Sequence, residues 1–177
     1  DGREVKSLED RVSEGALKAL LLEGTLLVES YGYTKALAQG AERHGALIRY
    51  AKALGIKRSG SKLEVVLDDG SIEGDNVVLA MGPWTQVARE WLGVSIPVYP
   101  LKGQILRLDL AGRSLERSIH HRDNYIGSKP DGLVWVGTTE ESVGYDDRST
   151  DDAKAKIIRE VGMFFPSVEQ GRVMRHT

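Results

Sequence analysis

Apolar and polar positions follow two different rhythms along this chain, and the change falls near Ile96-Pro97. From Val98 to Leu110 they alternate, with Leu106, Leu108 and Leu110 on one face and Arg107 and Asp109 on the other. That period of two predicts a half-buried antiparallel strand. Further strands are expected over Ser118–His121, Asn124–Ser128 and Leu133–Val136, with Lys129-Pro130-Asp131-Gly132 turning the chain between the last two. A helix should begin near Thr150, where Asp151 and Asp152 suit the positive end of the helix dipole. It should run to about Phe164, with Pro166 blocking its continuation, and Gly171–His176 reads as a last strand.

Upstream the pattern is different. Residues 7–22 read as helix or two short helices with Ser7 as N-cap, Gly24 as terminator and Leu26-Leu27-Val28 as a short strand. Tyr31-Gly32-Tyr33 reads as a turn, and Thr34 as the cap of a helix that stops at Gly45. Leu54–Lys57 and Leu63–Leu67 flank Ser59-Gly60-Ser61 as a hairpin, and Asp68-Asp69-Gly70 makes the next turn. The unbroken apolar run Val77-Val78-Leu79-Ala80-Met81, closed by Gly82, predicts a strand buried on both faces of a parallel sheet. Pro83 then suits the first turn of a helix. The implied architecture is α/β and α+β: 1–33 helices and linker, 34–95 a piece of parallel-sheet character, 96–177 an antiparallel or mixed sheet with flanking helices.

Composition removes several function classes. Lys plus Arg (24) nearly balance Asp plus Glu (26), and no basic stripe is interleaved with aromatics, which argues against a nucleic-acid partner. The absence of cysteine excludes disulfides, thiolate catalysis and cysteine-ligated metal. His44, His120, His121 and His176 form no metal-ligand spacing, and the adjacent pair should point to opposite faces of a strand. Ala19-Leu20-Leu21-Leu22 is far too short to span a membrane. No signal peptide is evident, so a cytoplasmic location is the expectation, with homo-oligomerisation left open.

The segment Asp75–Thr85 is the most informative. A strand that ends in glycine and enters a helix presents backbone N–H groups where open α/β folds bind nucleotides, although an ordinary βα turn has the same pattern. Asp75–Trp84 resembles the "A-D-x-V-V-x-A-x-G-x-W" stretch of the D-amino-acid oxidase superfamily. Pro97-Val98-Tyr99-Pro100-Leu101-Lys102-Gly103-Gln104 resembles the "P-V-x-P-[VL]-[RK]-G-[QE]" strand of glycine oxidases. Tyr125-Ile126 with Pro130-Asp131-Gly132 resembles "Y-[IL]-x-P-R-x-D-G", and Val136–Glu141 with Gly144-Tyr145-Asp146 resembles "[IV]-G-A-T-x-E-x-x-G-[FY]-D". The four occur in family order, and the subgroup they resemble is that of the glycine oxidases of thiamine biosynthesis. Two departures, Gly127-Ser128-Lys129 for "x-P-R" and Gly137-Thr138-Thr139 for "G-A-T", bear on substrate choice rather than fold.

The resemblance implies a flavoprotein that oxidises the C–N bond of glycine, a D-amino acid or a related secondary amine to an imine, with FAD as cofactor and a small amine or amino acid as substrate. It implies part of an FAD-binding Rossmann-like domain at 34–95 joined to a substrate domain at 96–177. Cofactor contacts are implied for Ala53, Met81, Gly82, Trp84, Lys102 and Gly103, and substrate contacts for Tyr125 and, less directly, His120. Read without the resemblance, Ala53 is a small strand residue, Met81 a core residue and Tyr125 a packing residue. No residue is implied as a catalytic acid or base and none as a metal ligand; the run Glu140, Glu141, Asp146, Asp147, Asp151, Asp152 reads as a solvated loop and helix start. No two glycines stand one residue apart, so the G-x-G-x-x-G turn of the family is not among these residues. The expectation is therefore an internal portion of a longer enzyme, inactive alone. The alternatives are a flavin-dependent 2-hydroxy-acid dehydrogenase of the same superfamily and a non-catalytic protein-binding module.

Overall fold

The computed structural model describes residues 1–177. In chain order its elements are α1 (Gly2–Leu8), α2 (Ser30–Arg43), β1 (Ala53–Ser59), β2 (Lys62–Leu67), β3 (Gly70–Gly74), a 3-10 turn (Gly82–Val87) running into α3 (Ala88–Leu92), β4 (Ile105–Asp109), β5 (Ile119–His121), β6 (Asn124–Ser128), β7 (Val134–Gly137), α4 (Asp151–Gly162), a second 3-10 turn (Pro166–Gln170) and β8 (Arg172–His176). They fall into two compact units, one of residues 1–33 with 102–177 and one of residues 34–101. No helix is long and apolar enough to cross a membrane.

The discontinuous unit holds a five-stranded antiparallel sheet in the order β5-β6-β7-β4-β8. Strand alternation sends Leu106, Leu108, Ile126, Val134 and Val136 to one face, where they bury against Ile157 and Val161 of α4 and against Phe165 and Val168. The expected burial of Leu106 and Leu108 is met in full, both being inaccessible to solvent. α4 begins where its sequence says it should: the Thr150 hydroxyl accepts from the Ala153 amide, and Asp151 and Asp152 lie in the first turn. Pro166 does not follow a simple stop but opens the second 3-10 turn. The β5–β6 hairpin turns through Arg122 and Asp123, with Arg122 at φ 54°. A side chain there carries left-handed strain that glycine does not. Replacing Arg122 with Gly should raise stability by up to about 1 kcal/mol, read as a Tm gain of about 2–4 °C. A lower Tm would show that the arginine side chain matters more than its backbone.

The second unit holds the antiparallel meander β1-β2-β3, with the hairpin through Gly60 and the turn before Gly70 as the sequence predicts. It has little interior: Ala88 is its one buried residue, and Leu47, Tyr50 and Val78 stand 97%, 96% and 87% exposed.

Four expectations need correction. Helix over 7–22 is absent; α1 ends at Leu8, and Leu17, Leu20 and Leu22 lie exposed in irregular chain. The break is fixed by long-range bonds, the Ser13 amide donating to the Phe164 carbonyl and the Arg11 guanidinium to the Arg113 carbonyl. Thr34 is not a cap: α2 starts at Ser30, and Tyr31-Gly32-Tyr33 is helical because the Glu29 carboxylate accepts from the Tyr31 and Gly32 amides at 3.3 and 2.6 Å. Leu26-Leu27-Val28 forms no strand. Finally, residues 77–81 form no strand and belong to neither sheet, since hydrophobicity alone does not provide the neighbouring strand that a parallel pairing needs.

Candidate functional site

The face of the five-stranded sheet that turns away from α4 holds both residues expected to meet the substrate, Tyr125 and His120. Register places His120, Tyr125, Gly137 and Ile105 in one cross-strand row, and Gly127, Trp135, Arg107 and Arg175 in the next. Alternation is the reason: each of these is one residue out of phase with a core position such as Ile126, Val136 or Leu106.

Tyr125 is half-buried, and its ring stacks on His120 with centroids 5.6 Å apart and planes at 21°. His120 also lies 3.2 Å from the Ser118 hydroxyl through Nε2, while His121 points the other way to Phe164. Both sequence-predicted substrate residues are thus brought together. The Tyr125 hydroxyl bonds to no group of the protein. Burial pushes its pKa above the ordinary tyrosine range, so at neutral pH it is a phenol able to donate. Across from it, Gly137 supplies bare backbone, and a Cβ there would come within 3.0 Å of Ile105 Cγ1.

The neighbouring row was not picked out as functional from the sequence. The Arg107 guanidinium lies over the Trp135 ring at 4.0 Å, and Nη1 sits 3.7 Å from Asp131 Oδ2. Trp135 donates from Nε1 to that same oxygen at 3.3 Å, and Lys129 approaches the ring at 4.9 Å while donating to the Val28 carbonyl. The signal available was the polar phase of the Leu106–Leu110 alternation, which puts Arg107 on the side opposite the core.

Lys102 and Gly103 lie outside these rows, in a partly buried polar network. Lys102 exchanges backbone hydrogen bonds with Glu141, and its ammonium donates to the Arg148 carbonyl at 2.8 Å and pairs with Glu141 at 3.6 Å. Gln104, 1% exposed, donates from Nε2 to Glu141 (2.8 Å) and Thr150 (3.2 Å) and accepts from the Thr150 amide at 2.8 Å. Thr139 completes the set by donating to Glu141 and accepting from the Gln104 amide. Hydrogen bonds from Thr139 and Gln104 hold the Glu141 carboxyl below its ordinary range. Gly103 is required for packing, since a Cβ would meet Thr138 Oγ1 at 3.1 Å and the Thr139 carbonyl at 3.2 Å. The remaining carboxylates have ordinary work: Asp146 binds Arg148, which holds its carboxyl far below its usual range, and Asp151 and Asp152 start α4.

In the other unit, Ala53 opens β1, and Met81 and Gly82 lead into the 3-10 turn that contains Trp84. Gly82 has φ 53° with nothing within 4 Å of the Cβ position, so its backbone can be approached closely.

Tyr125 thus presents a protonated phenol without a protein partner on the sheet face opposite α4. The chain belongs to the DAO family of FAD-dependent oxidoreductases, whose model matches residues 1–177. It is 27% identical over 171 residues to a glycine oxidase from Bacillus licheniformis, covering 96% of this chain and 46% of that one. Among solved structures, a glycine oxidase from Geobacillus kaustophilus superposes with a TM-score of 0.92 at 22% identity, over 99% of this chain and 48% of the other. An iminodiacetate oxidase from Chelativorans sp. BNC1 gives 0.89 at 23% identity, over 99% and 48%. The chain therefore spans about half the length of the relatives it matches.

Proposed function

We propose that this chain supplies the substrate-facing sheet, and part of the cofactor surface, of an enzyme that oxidises the C–N bond of glycine, a D-amino acid or a related secondary amine. The observation that carries the reading is the unpartnered Tyr125 phenol beside His120, in a chain that matches a flavoenzyme family along its whole length. Residues 96–177 with 1–33 take the substrate role, and 34–95 the cofactor role.

The residues present fit part of FAD. Gly82 offers bare, left-handed backbone with open space above it, and Ala53, Met81 and Trp84 are the further contacts proposed around it. Gly103 fits poorly, because the space on the side where its Cβ would stand is taken by Thr138 and Thr139. Lys102 fits less well as a cofactor contact, because its ammonium is taken up by Glu141 and the Arg148 carbonyl. Bound FAD would supply the hydride acceptor for the substrate α-carbon.

The protein's own part is orientation. The Tyr125 hydroxyl donates to the substrate carboxylate, and His120 holds the Tyr125 ring from the side, so the α-carbon is presented in one pose. In the enzyme containing this chain, Tyr125→Phe should raise KM for an amino acid substrate. The loss in kcat/KM should be about 1–2 kcal/mol, roughly 5- to 30-fold, as for one hydrogen bond to a charged group. Flavin content should not change. Wild-type kcat/KM in the Phe variant would make Tyr125 a packing residue, and turnover of 2-hydroxy acids in place of amines would replace the C–N reading.

A further inference from the structure

We propose that Leu27 and Ile105 are specificity residues, an apolar wall on two sides of Tyr125 that limits the size of the substituent on the substrate α-carbon; the inference rests on the amine-oxidising reading of the Tyr125 face.

Two glycines border Tyr125 on its own face of the sheet. Gly127 follows it by two residues on β6, and Gly137 stands directly opposite on β7. Strand geometry puts the first about 7 Å away along the strand, and direct pairing puts the second about 5 Å away across it. Left bare, these positions would open a wide floor beside the ring. Both are instead covered by side chains from elsewhere in the same unit. Leu27 Cδ1 lies 2.8 Å from where a Cβ on Gly127 would stand, and Ile105 Cγ1 lies 3.0 Å from the corresponding point on Gly137. With His120 stacked against the ring from β5, the phenol is bordered by one imidazole and two aliphatic side chains.

Both aliphatic groups are held in place. Leu27 belongs to irregular chain, but the carbonyl of the next residue, Val28, accepts from Lys129 Nζ at 3.2 Å. Lys129 is itself only 9% exposed, with its ammonium 4.9 Å from the centre of the Trp135 ring. Ile105 is fixed by its backbone, which pairs with Gly137 and exchanges hydrogen bonds with Thr177 at 2.7 and 3.1 Å. Neither side chain is sealed off by protein. Leu27 is 43% exposed and Ile105 partly so, which leaves apolar surface for a ligand at the Tyr125 hydroxyl to lie against. A short aliphatic substituent is accommodated by such a surface and a bulky one meets the methyl groups. A charged one loses hydration there without gaining a partner.

D-alanine and D-leucine carry the same reacting group and differ in the bulk of the substituent, so they make the test. In the flavin-loaded enzyme containing this chain, D-alanine should be oxidised with the higher kcat/KM. The ratio of D-leucine to D-alanine should rise roughly 10- to 100-fold in Leu27→Ala and in Ile105→Ala, the range for small changes of volume in an apolar pocket. Leu27→Ala trims a side chain that is already half in solvent, so it decides the matter if Ile105→Ala does not fold. An unchanged ratio overturns the proposal, as does one that rises only because D-alanine turnover falls. Binding gives an independent readout with propanoate and isocaproate, the same two acids without the amine. Isocaproate should raise the Tm of the wild-type protein less than propanoate does, and Leu27→Ala should close or reverse that gap. The same gap in both proteins overturns the wall. A gap closed by Leu27→Ala, in an enzyme that oxidises neither amino acid, would support the wall while removing the amine-oxidising reading.

Discussion

Replacing Phe165 with Ala should destabilise the discontinuous unit by about 3–5 kcal/mol, the largest effect expected of any single change described here. Phe165 is fully buried in the cluster of Leu106, Leu108, Ile126, Ile157, Val161 and Val168, where the sheet meets α4. The loss combines the transfer free energy of the ring with a cavity that the rigid sheet on one side cannot close. Arg11, whose guanidinium lies 5.4 Å from the ring centroid, would lose its stacking surface as well. Thermal unfolding should report a Tm lower by at least about 6 °C. A drop below about 1 kcal/mol would mean that neighbouring side chains fill the space.

The second large effect lies in the polar network. Gln104→Leu removes three hydrogen bonds and leaves the Thr150 amide and the Glu141 carboxylate short of partners, at an expected cost of about 2–4 kcal/mol. Gln104→Glu separates charge from shape. It sets a second carboxylate against Glu141 at neutral pH and should be markedly destabilising there. As pH falls and the pair takes up one proton, a carboxyl–carboxylate hydrogen bond forms and the deficit relative to wild type should shrink. In the wild type the sign is the reverse. The Glu141 pKa is lowered by folding, so its contribution is present above the ordinary glutamate value of 4.5 and is lost as pH falls through the folded value. Denaturation curves across pH 3–7 for both proteins should therefore converge at the acid end; parallel curves would show that Glu141 is not the partner that matters.

The network also explains which parts of the molecule could be read in advance. Strands β4 to β8 and helix α4 were legible because alternation, the Thr150 cap and the turn at Pro130-Asp131-Gly132 are local signals that agree with the tertiary packing. The role of Gln104 was not, since its partners lie 37 and 46 residues away. Residues 7–22 have a helix-like distribution of apolar side chains, yet Val12 leaves that pattern to join the distant core. The run 77–81 shows the limit of hydrophobicity as a signal, because it marks what must be covered and not what a strand will pair with. Tyr125 and His120 were placed by resemblance, and the register sets them side by side. Arg107 was visible only as the polar phase of a strand, and its stacking on Trp135 depends on a pairing between β4 and β7 that no local pattern encodes.

The split of one folding unit around another has a consequence during synthesis. The Ser13 amide pairs with the Phe164 carbonyl, a separation of 164 − 13 = 151 residues, and Val12 shares a core with Val168. At about 5–20 residues per second the ribosome needs roughly 8–30 s between making the two halves of that contact. Until residues 102–168 have emerged the opening segment lacks its partners in the core, and its apolar side chains, Val5, Val12 and Ala16 among them, are open to chaperones and to other nascent chains. A pause in translation beyond residue 101 lengthens that exposure.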